Sequence, residues 1–409
     1  MTDVNDLQEV LPELLLLCAV VAIAARRLRI PDTSALALAG VAIGAFGIVH
    51  PELSRDLILL AFLPPLLFEG ALNVEFREFT TRWKQLVLLA IPGTLVAAGT
   101  IALALHLFAG FSWSHAALIG VILAPTDPVS VLATMKEHGI SGGLRALLEG
   151  ESIFNDVAAI LLFSIALVWA FPEAHHNPGA IRMTSELVGE VAIGIVIGVV
   201  TGFVVHRLMA TVSDHLIEIT LSIVCAYGAY VLADRLHGSG VMAVVFAGLL
   251  LGNFGLEVAM SEASRQRLNE FWEVIAFLVN SAAFVLIGLA FDFASLKDGA
   301  LIWAVVVIAG AILIGRAIVV GGMLAPYSRR IGKPLPRPWI GAIFWGGLRG
   351  TIPIALVLGL TSDEREIGGV QVVPVVFSVV LISLLGQGLT YGPLLNRLGL
   401  SRNPSPAKV

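Results

Sequence analysis

Charged side chains are scarce in this sequence: Asp, Glu, Lys and Arg together make up 13% of its 409 residues, against 57% hydrophobic. An ordinary soluble domain carries about a quarter charged residues, so this chain has too little polar surface to face water. Cysteine is scarcer. Cys18 and Cys225 both fall inside apolar stretches without metal-ligand spacing, which excludes a disulfide framework and a zinc site and leaves two small buried hydrophobes. A basic flank is missing from the start, MTDVNDLQEV, which is acidic. A cleavable signal would be basic there, so the first apolar span is expected to be retained. No polar stretch is long enough to add a soluble domain, and residues 398–409, ending in SRNPSPAKV, read as a short cytoplasmic tail. We therefore expect a prokaryotic form without a regulatory cytoplasmic domain. The net charge of −5 says little about partners, and no nucleic acid is expected.

What the sequence has in abundance is apolar runs of about twenty residues, each long enough to cross a hydrocarbon core as a helix. They lie near 10–25, 33–49, 56–74, 85–109, 115–134, 147–171, 186–206, 214–234, 239–255, 269–292, 299–323, 338–360 and 370–395. The fold class is thus an all-α integral membrane protein of about thirteen transmembrane helices. Lysine and arginine collect in cytoplasmic loops. Alternating the spans puts 18 of the 25 on one side and Arg55, Arg182, Arg235, Lys297 and Arg365 on the other, with Arg316 and Arg349 inside spans. The C-terminus is therefore expected in the cytoplasm and the N-terminus outside. A missed span would scramble this asymmetry.

Ionisable groups at membrane depth are costly, and each is a functional candidate. The fifth span, VILAPTDPVSVLATM, contains Pro125 and Pro128, which cannot donate backbone hydrogen bonds and so leave the carbonyls of Val121 and Ala124 without helical partners. The helix must break there, around Asp127, and such breaks are where transporters bind ions. In the sixth span, EGESIFNDVAAILLF, Ser152, Asn155 and Asp156 are three or four apart and share a helix face. Carboxylate, hydroxyl and carbonyl oxygens suit small hard cations, and a carboxylate also takes a proton. In the twelfth span, FWGGLRGTIPIALVLG, Pro353 frees the carbonyl of Arg349 and three glycines weaken the same turn. This second broken helix stands seven spans after the first, so the two run in opposite directions, as in inverted repeats. On that pattern residues 1–171 form a first six-helix repeat, 186–206 a linking helix and 214–397 a second, inverted repeat. Glu69 in the third span either binds an ion or snorkels toward water. Asp127 either touches the ion or caps the half-helix that follows. His106, His175, His176, His206, His215 and His237 lie near span ends and read as surface residues. The charged segment EVAMSEASRQRLNEFWEV, before the tenth span, is expected at the cytoplasmic interface.

These residues resemble the cation/proton antiporter family, in its NhaP and NHE branch of sodium/proton exchangers. The likeness spans nearly the whole chain and rests on FLPPLLFEGAL, APTDPV, EGESIFNDVAAI, GRAIVV and GGLRGTIP, in the family's order and spacing. The resemblance implies an inverted-repeat fold with discontinuous helices 5 and 12, a moving six-helix core and a homodimer in the bacterial inner membrane, serving pH homeostasis. It implies that sodium and protons are the substrates, that no cofactor is needed, and that cation and proton compete for Asp156. Ser152, Thr126 and Glu69 would add oxygens, directly or through water, so that sodium sits at Asp156, Ser152 and Thr126. Asn155 and Asp127 would organise the crossing, Arg316 would pair with Glu151, and Arg349 would brace the unwound part of the twelfth span. The Asn155-Asp156 pair resembles the electroneutral branch. Arginine keeps its proton in proteins, so Arg316 cannot be a second proton carrier, and one cation for one proton is expected.

Three other readings compete. The same fold could carry potassium, or several monovalent cations, since these ligands do not set a radius. An intramembrane aspartyl protease also places two aspartates on neighbouring helices, but its GxGD and YD signatures are absent here. A channel fits two antiparallel broken helices less well than alternating access does.

Overall fold

In hydrocarbon no water satisfies peptide groups, so a chain this apolar must close its backbone hydrogen bonds within helices. The computed structural model describes residues 4–28, 30–45, 62–74, 76–140, 142–174, 180–212, 214–255, 262–289 and 297–401. The expected span ends at 46–49, 56–61 and 290–292, the pair His175-His176 and the tail beyond 401 lie outside them. In chain order the helices are α1 (Val4–Leu28), α2 (Asp32–Ala45), α3 (Leu63–Asn73), α4 (Phe76–Leu88), α5 (Thr94–Ala109), α6 (Trp113–Ile122), α7 (Val129–Glu137), α8 (Gly143–Ala170) and α9 (Ala180–Met209). There follow α10 (His215–Arg235), α11 (Gly240–Leu250), α12 (Glu262–Leu289), α13 (Gly299–Ala317), α14 (Ala325–Arg330), α15 (Arg337–Trp345), α16 (Thr351–Leu358), α17 (Val372–Ser383) and α18 (Leu389–Arg397). A two-residue hairpin, β1 (Glu366–Ile367) with β2 (Val370–Gln371), is the one sheet among the described residues.

Seven helices among these residues are long and apolar enough to cross a membrane. Three of them are built from consecutive elements joined by π-helical turns, among them α17 and α18, joined at Leu384–Gly388. Leu89–Gly93 joins α4 to α5 and contains Pro92, whose missing N–H the wider turn accommodates. Ile318–Leu324 joins α13 to α14. The fifth and twelfth expected spans are each two short helices, α6 with α7 and α15 with α16, separated by non-helical backbone at 123–128 and 346–350. The tenth span begins earlier than the expected 269: its helix α12 starts at Glu262, and Leu268 and Trp272, four apart, are buried and begin its packed stripe.

The helices divide into two compact units. The first comprises residues 1–53, 82–174 and 281–409 and contains both interrupted spans. The second comprises residues 54–81 and 175–280. Each draws on both halves of the sequence. In the second unit, Gly194, Gly198 and Gly202 of α9 face Ser239, Ala243 and Ala247, and a Cβ on the first two would strike the carbonyls opposite. This is small-residue packing, which replaces the hydrophobic effect between helices in lipid. Trp272 is anchored there by its Nε1, which donates to Ser222 Oγ at 3.0 Å, and by the ring of Phe68, 4.8 Å away between centroids.

Candidate functional site

Prolines 125 and 128 deny the chain two backbone donors, so the peptide groups around Thr126 must find partners outside their own helix. Side chains of α8 supply them. Ser152 Oγ donates to the Thr126 carbonyl at 2.7 Å. Asn155 Nδ2 donates to Thr126 Oγ1 at 2.7 Å, and Asn155 Oδ1 accepts from the Thr126 amide at 3.4 Å. The i,i+3 spacing of Ser152 and Asn155 thus clamps one unwound residue.

The two breaks meet directly. The Asp127 amide donates to the Leu348 carbonyl at 2.8 Å. Asp127 Oδ1 accepts from the Val129 amide at 2.9 Å, capping α7. The same carboxylate lies over Gly350, the residue that opens α16. One negative charge therefore serves the positive ends of two half-helices. Pro353 occupies the third position of α16, where an N–H would lack a helical partner anyway. It starts that helix and does not interrupt it.

The opposite, carbonyl-exposing ends of α6 and α15 are met by arginines. Arg349 Nη1 donates to the carbonyls of Ala124 and, at 2.9 Å, Pro125. Its guanidinium thus braces the fifth-span break, where Pro128 leaves the Ala124 carbonyl without a helical donor, and not the twelfth as expected. The Val121 carbonyl, also expected to be orphaned, accepts from the Ala124 amide at 3.2 Å. The twelfth-span break is held by residues that carried no sequence signal. Ser383 Oγ accepts from the Arg349 amide at 3.0 Å and donates to Gln387 Oε1 at 2.6 Å. Gln387 Nε2 donates to the Trp345 carbonyl at 3.3 Å.

Arg316 and Glu151 form a two-pronged ion pair: Nη1 meets Oε1, and Nη2 meets Oε2 at 3.0 Å. The guanidinium also donates to the Ile343 carbonyl, from Nη2 at 2.8 Å and Nε at 3.2 Å, which satisfies the C-terminal end of α15. With relative exposures of 7% and 2%, neither partner can fall back on water.

Asp156 stands apart. Its carboxylate accepts one long contact, 3.5 Å from Ser152 Oγ, and it is half-buried where Thr126, Ser152 and Asn155 are buried. It has oxygens to spare beside a hydroxyl and an unwound backbone. Glu69 belongs to the second unit, where Asn73 Nδ2 donates to its Oε1 at 2.8 Å. His106 is not a free surface group: its Nδ1 bonds with the Phe111 carbonyl at 2.8 Å and its ring stacks on Trp113.

Gly350 offers a test of the crossing. A Cβ there would collide with the Asp127 carboxylate, so Gly350→Ala should lower the melting temperature of the purified protein. Asp127→Ala in the same chain should recover part of the loss. Unchanged melting of the single variant would show that the crossing is looser than described.

Residues 14–397 match the family model described as sodium/hydrogen exchanger, transmembrane. The chain is 39% identical over 375 residues to the Na(+)/H(+) antiporter ApNhaP of Aphanothece halophytica, covering 91% of this chain and 70% of that one. It is 33% identical to the Na(+)/H(+) antiporter NhaH of Halobacillus aidingensis, covering 95% and 97%. The fold is similar to that of the sodium proton antiporter MjNhaP1 of Methanocaldococcus jannaschii at pH 8, with TM-score 0.76, 22% identity and coverage of 95% and 98%.

Proposed function

We propose, from the premise that this chain belongs to the sodium/hydrogen exchanger family, that it is a secondary active antiporter exchanging sodium for protons by alternating access. It is a multi-pass membrane protein and not an enzyme, and its substrates are Na+ and H+. The carrying observation is the Asp156 carboxylate, left with one weak partner where two interrupted helices cross. Burial disfavours a bare carboxylate, and either a proton or a cation relieves that cost. One group thus holds one ion or the other. With Asp156, the Ser152 hydroxyl and the Thr126 oxygens offer the hard ligands a small cation takes. No one of these groups is an obvious second proton carrier. The pairing of Arg316 with Glu151 supports electroneutral, one-for-one exchange, since a guanidinium keeps its proton. The lysine and arginine asymmetry supports a bacterial inner-membrane protein with an outside N-terminus and a cytoplasmic C-terminus. The opposed interrupted helices support inverted repeats at 1–171 and 214–397 around the linking helix 186–206, and the family supports a homodimer.

Competition fixes the sign of the pH response. As pH falls, protons fill Asp156 and the cation must displace them, so the cation KM rises, approaching about tenfold per pH unit once the empty site is mainly protonated. At high pH KM settles to a floor. Proteoliposomes carrying an internal pH dye, challenged in turn with sodium, lithium and potassium, measure this. Sodium should move protons with a KM that rises as pH falls. A KM independent of pH would remove simple competition, and proton movement only with potassium would reassign the cation.

A further inference from the structure

In the first unit, a group of cations has no part in the crossing. Gln85 Nε2 donates to Ser328 Oγ at 2.7 Å and to the Lys333 carbonyl at 3.2 Å, tying the end of α14 to α4. Arg82 Nη1 donates to Gln85 Oε1 at 3.3 Å, and its guanidinium lies 5.1 Å from the centre of the Trp339 ring. Residues 82–85, 328–333 and 337–339 thus form one patch. Its charges are Arg82, Lys84, Arg329, Arg330, Lys333 and Arg337, all but Arg82 exposed.

None of Arg82, Lys84, Arg329, Arg330 and Arg337 forms an ion pair among the described residues, and Arg82 Nε is buried without an acceptor. The sequence holds no Asp or Glu between Glu78 and Asp127, nor between Asp298 and Asp363. On the neighbouring start of α8, Arg145 and Glu149 are 2.7 Å apart and engage each other. Cations gathered in excess of anions repel one another, and an anion laid across them lowers that cost.

The apolar surroundings say which anion. Trp83 is 50% exposed, with the Lys84 ammonium 5.7 Å over its ring. From Trp83, exposed Val87, Ile91 and Leu95 follow at steps of four along one face of α4, the π turn and α5. A tryptophan with its polar edge at headgroup level, leading an apolar stripe, marks a membrane interface. A small soluble anion would use the charges and leave the stripe idle. We propose that this patch binds an anionic phospholipid, with its phosphate on Arg82, Lys84 and Arg337 and its acyl chains along Val87, Ile91 and Leu95.

Titration of the purified full-length chain with phosphatidylglycerol or phosphatidylcholine, read by native mass spectrometry, tests this. Phosphatidylglycerol should be retained and phosphatidylcholine should not. Lys84→Gln with Arg337→Gln should weaken retention about thirtyfold, at roughly fivefold per cation near a charged surface. Arg265→Gln with Arg267→Gln, which removes as many cations from the second unit, should change it little. If the first pair fails to fold, Arg329→Gln with Arg330→Gln is read in the same way. Equal loss in the Arg265 and Arg267 variant would reduce the effect to diffuse surface charge and overturn the site. Equal retention of phosphatidylcholine, or displacement of the lipid by inorganic phosphate, would overturn it as well.

Discussion

Asp156→Asn brings sodium-driven proton movement in proteoliposomes down to the level of protein-free vesicles, while the melting temperature stays close to that of the parent. Both halves of this expectation come from the geometry. Asparagine can accept from a hydroxyl or lie beside a cation, but at these pH values it neither binds a proton nor carries the charge that draws a cation out of water. Exchange needs both states of the group. Stability does not depend on it in the same way, because Asp156 makes one 3.5 Å contact with Ser152 and holds no backbone in place. The Thr126 clamp is made by Ser152 and Asn155 and survives the change. Transport at the parental rate by a properly folded Asp156→Asn protein would end the proposal.

Arg316→Ala has the opposite profile, a large loss of folded protein. The substitution strands the Glu151 carboxylate and removes the donors that satisfy the Ile343 carbonyl. Breaking a buried ion pair by removing one partner costs about 3–5 kcal/mol, a large part of a typical folding free energy of about 5–15 kcal/mol. Removing the second charge eases the penalty, so Arg316→Ala with Glu151→Ala should melt above Arg316→Ala alone. Recovery should be partial, since the Ile343 carbonyl stays unmet. Fluorescence-detected size-exclusion chromatography after graded heating reads all three variants. Additive losses in the double variant would mean that the two side chains do not act as a pair.

The sequence was an uneven guide to this molecule. Membrane residence, the helical class, the approximate position of each described span and the two interruptions were readable, because each follows from local rules: apolar length, and proline's missing donor. The i,i+3 and i,i+4 spacing of Ser152, Asn155 and Asp156 also placed three oxygen-bearing side chains on one helix face without reference to any neighbour. What the neighbours do was a different matter. Ser383 and Gln387 look unremarkable in a row of apolar residues, yet they hold the twelfth-span break. Arg349 was expected on its own span and is found on the carbonyls of another.

Local chemistry dictated which backbone groups would lose their helical partners, and where a carboxylate would sit. Only the tertiary structure decided who meets those groups and that the Asp156 carboxylate is left with one long contact, since hydrogen bonds between residues far apart in the chain depend on how helices pack, and no short-range pattern encodes that.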